Sequence, residues 1–167
     1  MKNLRLMAVV GLGVLTLALW AYAQDIEKHS SCLYCGMDRK MFAHSRMLVV
    51  YDDGSEVGVC SLHCLALDFA VHLDKTPKTI QVGDYNSKKL IDAEKAVWVI
   101  GGDKPGVMSR RAKWAFEEKA AAEAYIQANR GQLATFEAAI KAAYEDMYTD
   151  TQMIRERRKA KAMQHGS

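Results

Sequence analysis

An α+β fold of two β-β-α-β units followed by a C-terminal helix is predicted by three observations. A hairpin pattern feeds a helix in the first half, a similar pattern returns about 56 residues later, and an amphipathic helix then runs into a basic tail.

In the first unit Met47-Leu48-Val49-Val50-Tyr51 is apolar and β-branched, Asp52-Asp53-Gly54 supplies a turn, and residues 55–60 alternate through Val57 and Val59. Together they predict a β-hairpin. Ser61 is a natural N-cap, and Leu62, Leu65, Phe69 and Leu73 recur at helical spacing, which places Cys60 and Cys64 at the first turn of a helix. Residues 79–82, after Pro77, read as the returning strand. In the second unit Ala96-Val97-Trp98-Val99-Ile100 is the clearest strand, 101–106 a breaker-rich loop, 112–116 a further strand and 117–128 a helix ended by Asn129-Arg130-Gly131. Laying Cys60 on Phe116 puts Cys64 on Ala120 and Phe69 on Tyr125, so the units span about 32–84 and 90–137, and the sulfur ligands are confined to the first. Ala138, Ile140, Ala143, Tyr144 and Met147 form the last amphipathic helix.

The 167 residues suffice for one domain with a real core, and 50% hydrophobic with 26% charged residues is a globular composition. The net charge of +3 is uneven: Lys2 and Arg5 contribute +2 and residues 154–167 contribute +4, so the body is about −3. A nucleic-acid-binding domain carries its basic excess on the folded body, and that class is set aside. Lys2 and Arg5 precede an apolar run, 6–23, that closes on Ala21-Tyr22-Ala23. This predicts a signal peptide over 1–23 and a mature chain, from Gln24, soluble in the periplasm, with an N-terminal membrane anchor as the alternative. A metal-binding domain over 24–150 and a basic helix or tail over 151–167 complete the organisation. The tail reads as a solvated helix end or as a docking surface for an acidic partner or lipid headgroups.

All four cysteines fall in two pairs, Cys32-Leu33-Tyr34-Cys35 and Cys60-Ser61-Leu62-His63-Cys64. Disulfides suit an exported protein; a bridge within either pair closes only a very short loop, whereas cross-pairing between the two pairs would be more useful structurally. A c-type haem site needs His where Gly36 stands, and a thioredoxin-like pair needs a preceding strand that Cys32 lacks. What remains is metal. Met37 adds a thioether, a soft donor suited to Cu(I), and Gly36 lets the backbone turn so that Cys35 and Met37 face one ion, joined by one or more of Cys32, Cys60 and Cys64. An all-cysteine zinc site is the alternative. Met41, His44, Met47 and His63 are further donors nearby, of which Met47 heads a strand and reads as core. No nucleophile with an oriented base stands out, so an enzyme is not expected.

With these residues laid out, the chain resembles the NosL family, the copper accessory proteins of nitrous oxide reductase, from Cys32 to about Met147. The resemblance rests on Cys32-Leu33-Tyr34-Cys35-Gly36-Met37, Asp52-Asp53-Gly54, Val97-Trp98-Val99-Ile100-Gly101 and Gly106-Val107-Met108. It implies paired β-β-α-β units, Cu(I) held by sulfur donors that include Cys35-Gly36-Met37, and copper delivery in the periplasm to a cuproenzyme such as that of denitrification. A copper-receiving enzyme or a copper transporter or donor would be the partner, and a homodimer is open to it. Many members are lipoproteins, whereas here Ser30 and Ser31 precede the first cysteine and no lipobox is present. Cys60-x-x-x-Cys64 also resembles the cysteine pair of TRASH-type modules, which widens the roles to other copper enzymes or copper resistance. The contrasting reading is a structural zinc or disulfide-stabilised protein-interaction module.

Overall fold

The computed structural model describes residues 25–165, so the expected signal peptide lies outside the described part. Strands β1 (Met47–Tyr51) and β2 (Glu56–Val59) form the predicted hairpin, with Met47 opposite Val59 and Val50 opposite Glu56. The two-residue period turns Met47, Val49 and Tyr51 into the core, where each is buried. Helix α1 (Leu62–Val71) follows at once. Ser61 holds the extended N-cap position, but its side chain makes no capping bond. The helix also stops short of the predicted Leu73, which lies beyond its end and is 87% exposed.

Strand β3 (Pro77–Gly83) returns antiparallel on the other side of β1, and β4 (Leu90–Asp92) extends that edge, giving the order β2-β1-β3-β4. The second unit repeats the plan with β5 (Val97–Pro105), β6 (Arg111–Phe116), helix α2 (Lys119–Asn129) and β7 (Gln132–Ala134), in the order β6-β5-β7. In both sheets the first strand of the unit lies between the other two. The glycine-rich segment predicted as a loop instead continues β5. Gly101 and Gly102 adopt φ of 82° and 98° there, and the register with β6 shifts between Ile100 and Pro105. The shift sets residues 101–104 of β5 opposite Ala112 alone, an irregularity that interrupts the ladder with β6 before it resumes at Pro105 and Arg111.

The units are stitched together where Tyr85 N–H donates to the Ala115 carbonyl at 2.8 Å and Glu117 N–H donates to the Asp84 carboxylate at 3.0 Å. Helix α3 (Phe136–His165) then packs along α1. The main core joins the first sheet, α1 and α3 around Trp98, whose indole N–H donates to the Ala93 carbonyl at 2.8 Å. A smaller core of Val99, Trp114, Phe116 and Tyr125 lies under α2. Among the described residues no helix is long and apolar enough to cross a membrane.

Candidate metal centre

The first cysteine pair sits on a loop that folds back on itself, Ser31 bridging Asp38. Cys32 N–H donates to the Met37 carbonyl at 2.8 Å, and Gly36 N–H donates to the Cys32 carbonyl at 2.9 Å. Gly36 makes this turn with φ of 75°, a conformation that any side chain would strain. Two contacts dock the loop on the first unit. Leu33 N–H donates to the Gly58 carbonyl at 3.2 Å, and the Tyr34 hydroxyl donates to Asp68 Oδ1 of α1 at 2.5 Å. Asp68 is fully buried and also accepts the Tyr51 hydroxyl, so one carboxylate ties the loop, the sheet and the helix.

Arg39 carries the other half of the scaffold. Its Nε–H donates to the Val59 carbonyl at 3.2 Å, Nη1 to the carbonyls of Asp25 and His29 at 3.0 and 2.6 Å, and Nη2 to Asp25 Oδ2 and the Met47 carbonyl, both at 3.0 Å. All five guanidinium donors are thereby used, as burial of a charged group requires. The result pins the segment after Met37 to the residue before Cys60. Arg46 grips the other side of Asp25, with Nε and Nη2 on its two oxygens at 2.9 and 3.0 Å.

These contacts bring the two cysteine pairs together. The sulfurs of Cys32, Cys35, Cys60 and Cys64 all lie within 4.8 Å of one another. Cys35 Sγ is 3.4 Å and Cys64 Sγ 3.8 Å from Cys60 Sγ, and all four thiols are free. A tetrahedral thiolate site with bonds of about 2.3 Å has sulfurs about 3.8 Å apart, so a quartet within 4.8 Å closes on one soft ion if its widest pairs draw in by about 1 Å. Hydrogen bonds from Cys35, Cys60 and Cys64 push the Cys32 thiol far down, while bonding to Cys32 and burial hold Cys60 and Cys64 up. A metal must therefore displace protons from Cys60 and Cys64. The position of Cys64 in the first turn of α1 favours the resulting thiolate.

Cys32, Cys60 and Cys64 are buried and Cys35 is half-buried. Cys35 opens on a groove of about 650 Å³ that Met37, Phe42, His44, Met108, Trp114 and Met153 also line. Met37 thus stands beside Cys35 at the mouth of the quartet. His44 packs against Trp114 and Tyr85, with ring centroids 5.3 and 5.7 Å away, and burial holds its pKa down. Met41 is exposed and Met47 is strand core. His63 is buried against Asp150 of α3, with Nδ1 to Oδ2 at 3.6 Å, and lies outside the group of candidate ligands. Sequence reasoning missed Arg39, Asp68 and Tyr34 because their roles rest on distant partners. Met108 and Met153 carried no ligand spacing of their own.

The model of the NosL family matches residues 23–144. A solved structure, the crystal structure of the copper chaperone NosL from Shewanella denitrificans, is 24% identical, with a TM-score of 0.53 over 64% of this chain and 87% of that one. That likeness is one of fold. A search of curated proteins found no match.

Proposed function

Because the chain belongs to the NosL family, we propose that it is a periplasmic metallochaperone that takes up Cu(I) and hands it to a cuproenzyme such as nitrous oxide reductase. The observation that carries this reading is the quartet itself: four free thiols within 4.8 Å, three buried and one, Cys35, open to a groove beside the Met37 thioether. Thiolates and a thioether are soft donors that favour Cu(I), which tolerates two or three ligands and can change partners one sulfur at a time. Cys35 and Met37 would exchange with the donor or acceptor, while Cys32, Cys60 and Cys64 hold the ion from below. Binding and release of this kind need no catalytic residue. Export rests on the leader over 1–23, with the metal-binding domain over 24–150 and a basic extension over 151–167.

An anaerobic titration against a Cu(I) chelator tests the proposal on wild type, Cys35→Ser and Met37→Leu. Tight one-to-one binding is expected in wild type, severe loss in Cys35→Ser and a smaller loss in Met37→Leu, with affinity weakening as pH falls because the thiols must lose protons. Four cysteine sulfurs within 4.8 Å of one another also favour one second reading, a structural zinc module with four cysteine ligands. Zinc outcompeting Cu(I), with indifference to Met37→Leu, would establish that instead.

A further inference from the structure

We infer that the groove beside Cys35 is the docking surface for an acidic segment of the protein with which this chain exchanges metal. The inference rests on the metal-carrying reading of the quartet and adds the chemistry of the partner.

One wall of the groove is formed by Met153, Ile154, Arg157, Arg158 and Lys161 of α3, all beyond residue 144, where the family match ends. Residues 153, 157 and 161, with 154 and 158, repeat every four positions, so they form one stripe along the helix. The stripe presents two apolar side chains toward the chain body and three cations at the rim. The cations stand over the one cysteine that is open. Arg158 Nη2 reaches the Cys35 carbonyl at 3.5 Å.

Charge decides the partner. No Asp or Glu lines the groove, and among the described residues Arg157, Arg158 and Lys161 form no ion pair. The basic excess is therefore local, on a body that is otherwise about −3. A partner that must bring a metal-binding side chain to Cys35 meets this positive rim first. Acidic residues flanking that side chain would be steered in, and basic ones repelled. The floor of thioethers and aromatic rings, Met37, Phe42, Met108 and Trp114, then accepts an apolar or methionine side chain between the acids.

The test uses the full mature chain, reduced, with and without Cu(I), and two synthetic peptides built around one methionine, flanked by glutamates in one and lysines in the other. Calorimetry is expected to show binding of the acidic peptide alone, weakened by salt. In R157E/R158E/K161E that affinity should fall about tenfold or more, since each exposed pair contributes modestly and all three are reversed. The melting temperature and Cu(I) stoichiometry of that variant should stay at wild-type values, and R157Q/R158Q should give an intermediate loss. Equal binding of both peptides, or indifference to charge reversal in the folded variant, overturns the inference. So does sedimentation with phosphatidylglycerol vesicles alongside failure to bind the acidic peptide, which would assign the cations to lipid headgroups. Wild type that binds the acidic peptide but no Cu(I) overturns the metal reading and leaves the docking surface standing.

Discussion

Replacing Arg39 by Met removes five hydrogen bonds from a fully buried position while roughly keeping side-chain length. Breaking one side of a buried ion pair costs about 3–5 kcal/mol, but Arg46 remains on both Asp25 oxygens and keeps that carboxylate neutralised. The carbonyls of Asp25, His29, Met47 and Val59 lose this donor, and unsatisfied groups cost about 1–3 kcal/mol each when they cannot reach water. These losses share one network and do not add, so a net destabilisation of about 4 kcal/mol is expected. A domain of this size has only about 5–15 kcal/mol in total, so the variant should be marginal. Urea unfolding of the reduced, metal-free protein, followed by tryptophan fluorescence, should show a lower midpoint with an unchanged slope. Arg155→Met, at an exposed position, is the control and should stay within about 0.5 kcal/mol of wild type. Because Arg39 binds the residue before Cys60, Cu(I) should partly restore the midpoint by selecting the folded state. A loss below about 1 kcal/mol would refute the reasoning, since the largest expected costs of this kind come from buried charge networks.

Trp98→Ala should cost about 3–5 kcal/mol in the same assay, because the ring is 1% exposed and packs on Phe136 at 6.0 Å, while Cu(I) per folded molecule stays unchanged. Gly58→Ala should lower the melting temperature by an amount equivalent to about 2 kcal/mol, because the new Cβ would lie 2.5 Å from the His29 Cβ and 2.9 Å from the Arg39 guanidinium. Asp84 supplies a pH prediction. Burial pushes its carboxyl up, but backbone N–H donors of Ser87, Glu117 and Asn86 outweigh this and hold it below the usual range. A depressed folded-state pKa adds stability that is present above the ordinary carboxylate range, about pH 4, and is lost as pH falls through the folded value. Thermal melts should therefore drop on acidification, and more shallowly in Asp84→Asn, whose side chain does not titrate; equal slopes would remove Asp84 from the account.

The hairpin, the recurrence of the unit and the cysteine pairs were legible because each is local. Alternation around Asp52-Asp53-Gly54 and the apolar run at 96–100 need no distant partner to be read. Gly101 and Gly102 misled as breakers, since glycine weakens a strand without having to end it and only the resumed pairing of Pro105 with Arg111 shows that β5 continues. Leu73 fitted the helical spacing but falls after the end of α1, at a position where exposure costs little. The gathering of Cys32 and Cys35 onto Cys60 and Cys64 was open at the level of sequence. It depends on Arg39, Asp25, Tyr34 and Asp68, and charged residues in a linear sequence read as solvated. The same limit hid the groove, whose far wall comes from residues more than a hundred positions after Cys35.

The packing of α3 along α1 also sets an order of events for a chain exported as proposed. Threaded out N-terminus first, Cys64 and the three earlier cysteines reach an oxidising compartment before Phe136, the first residue of α3. The first unit can then collapse, and its thiols meet an oxidant, before the last helix arrives to cover it. Two rates are thus set against each other in the emerging chain, thiol pairing and completion of the last helix. Faster translocation, or a reductant in the receiving compartment up to that moment, should raise the yield of chains with four usable sulfurs.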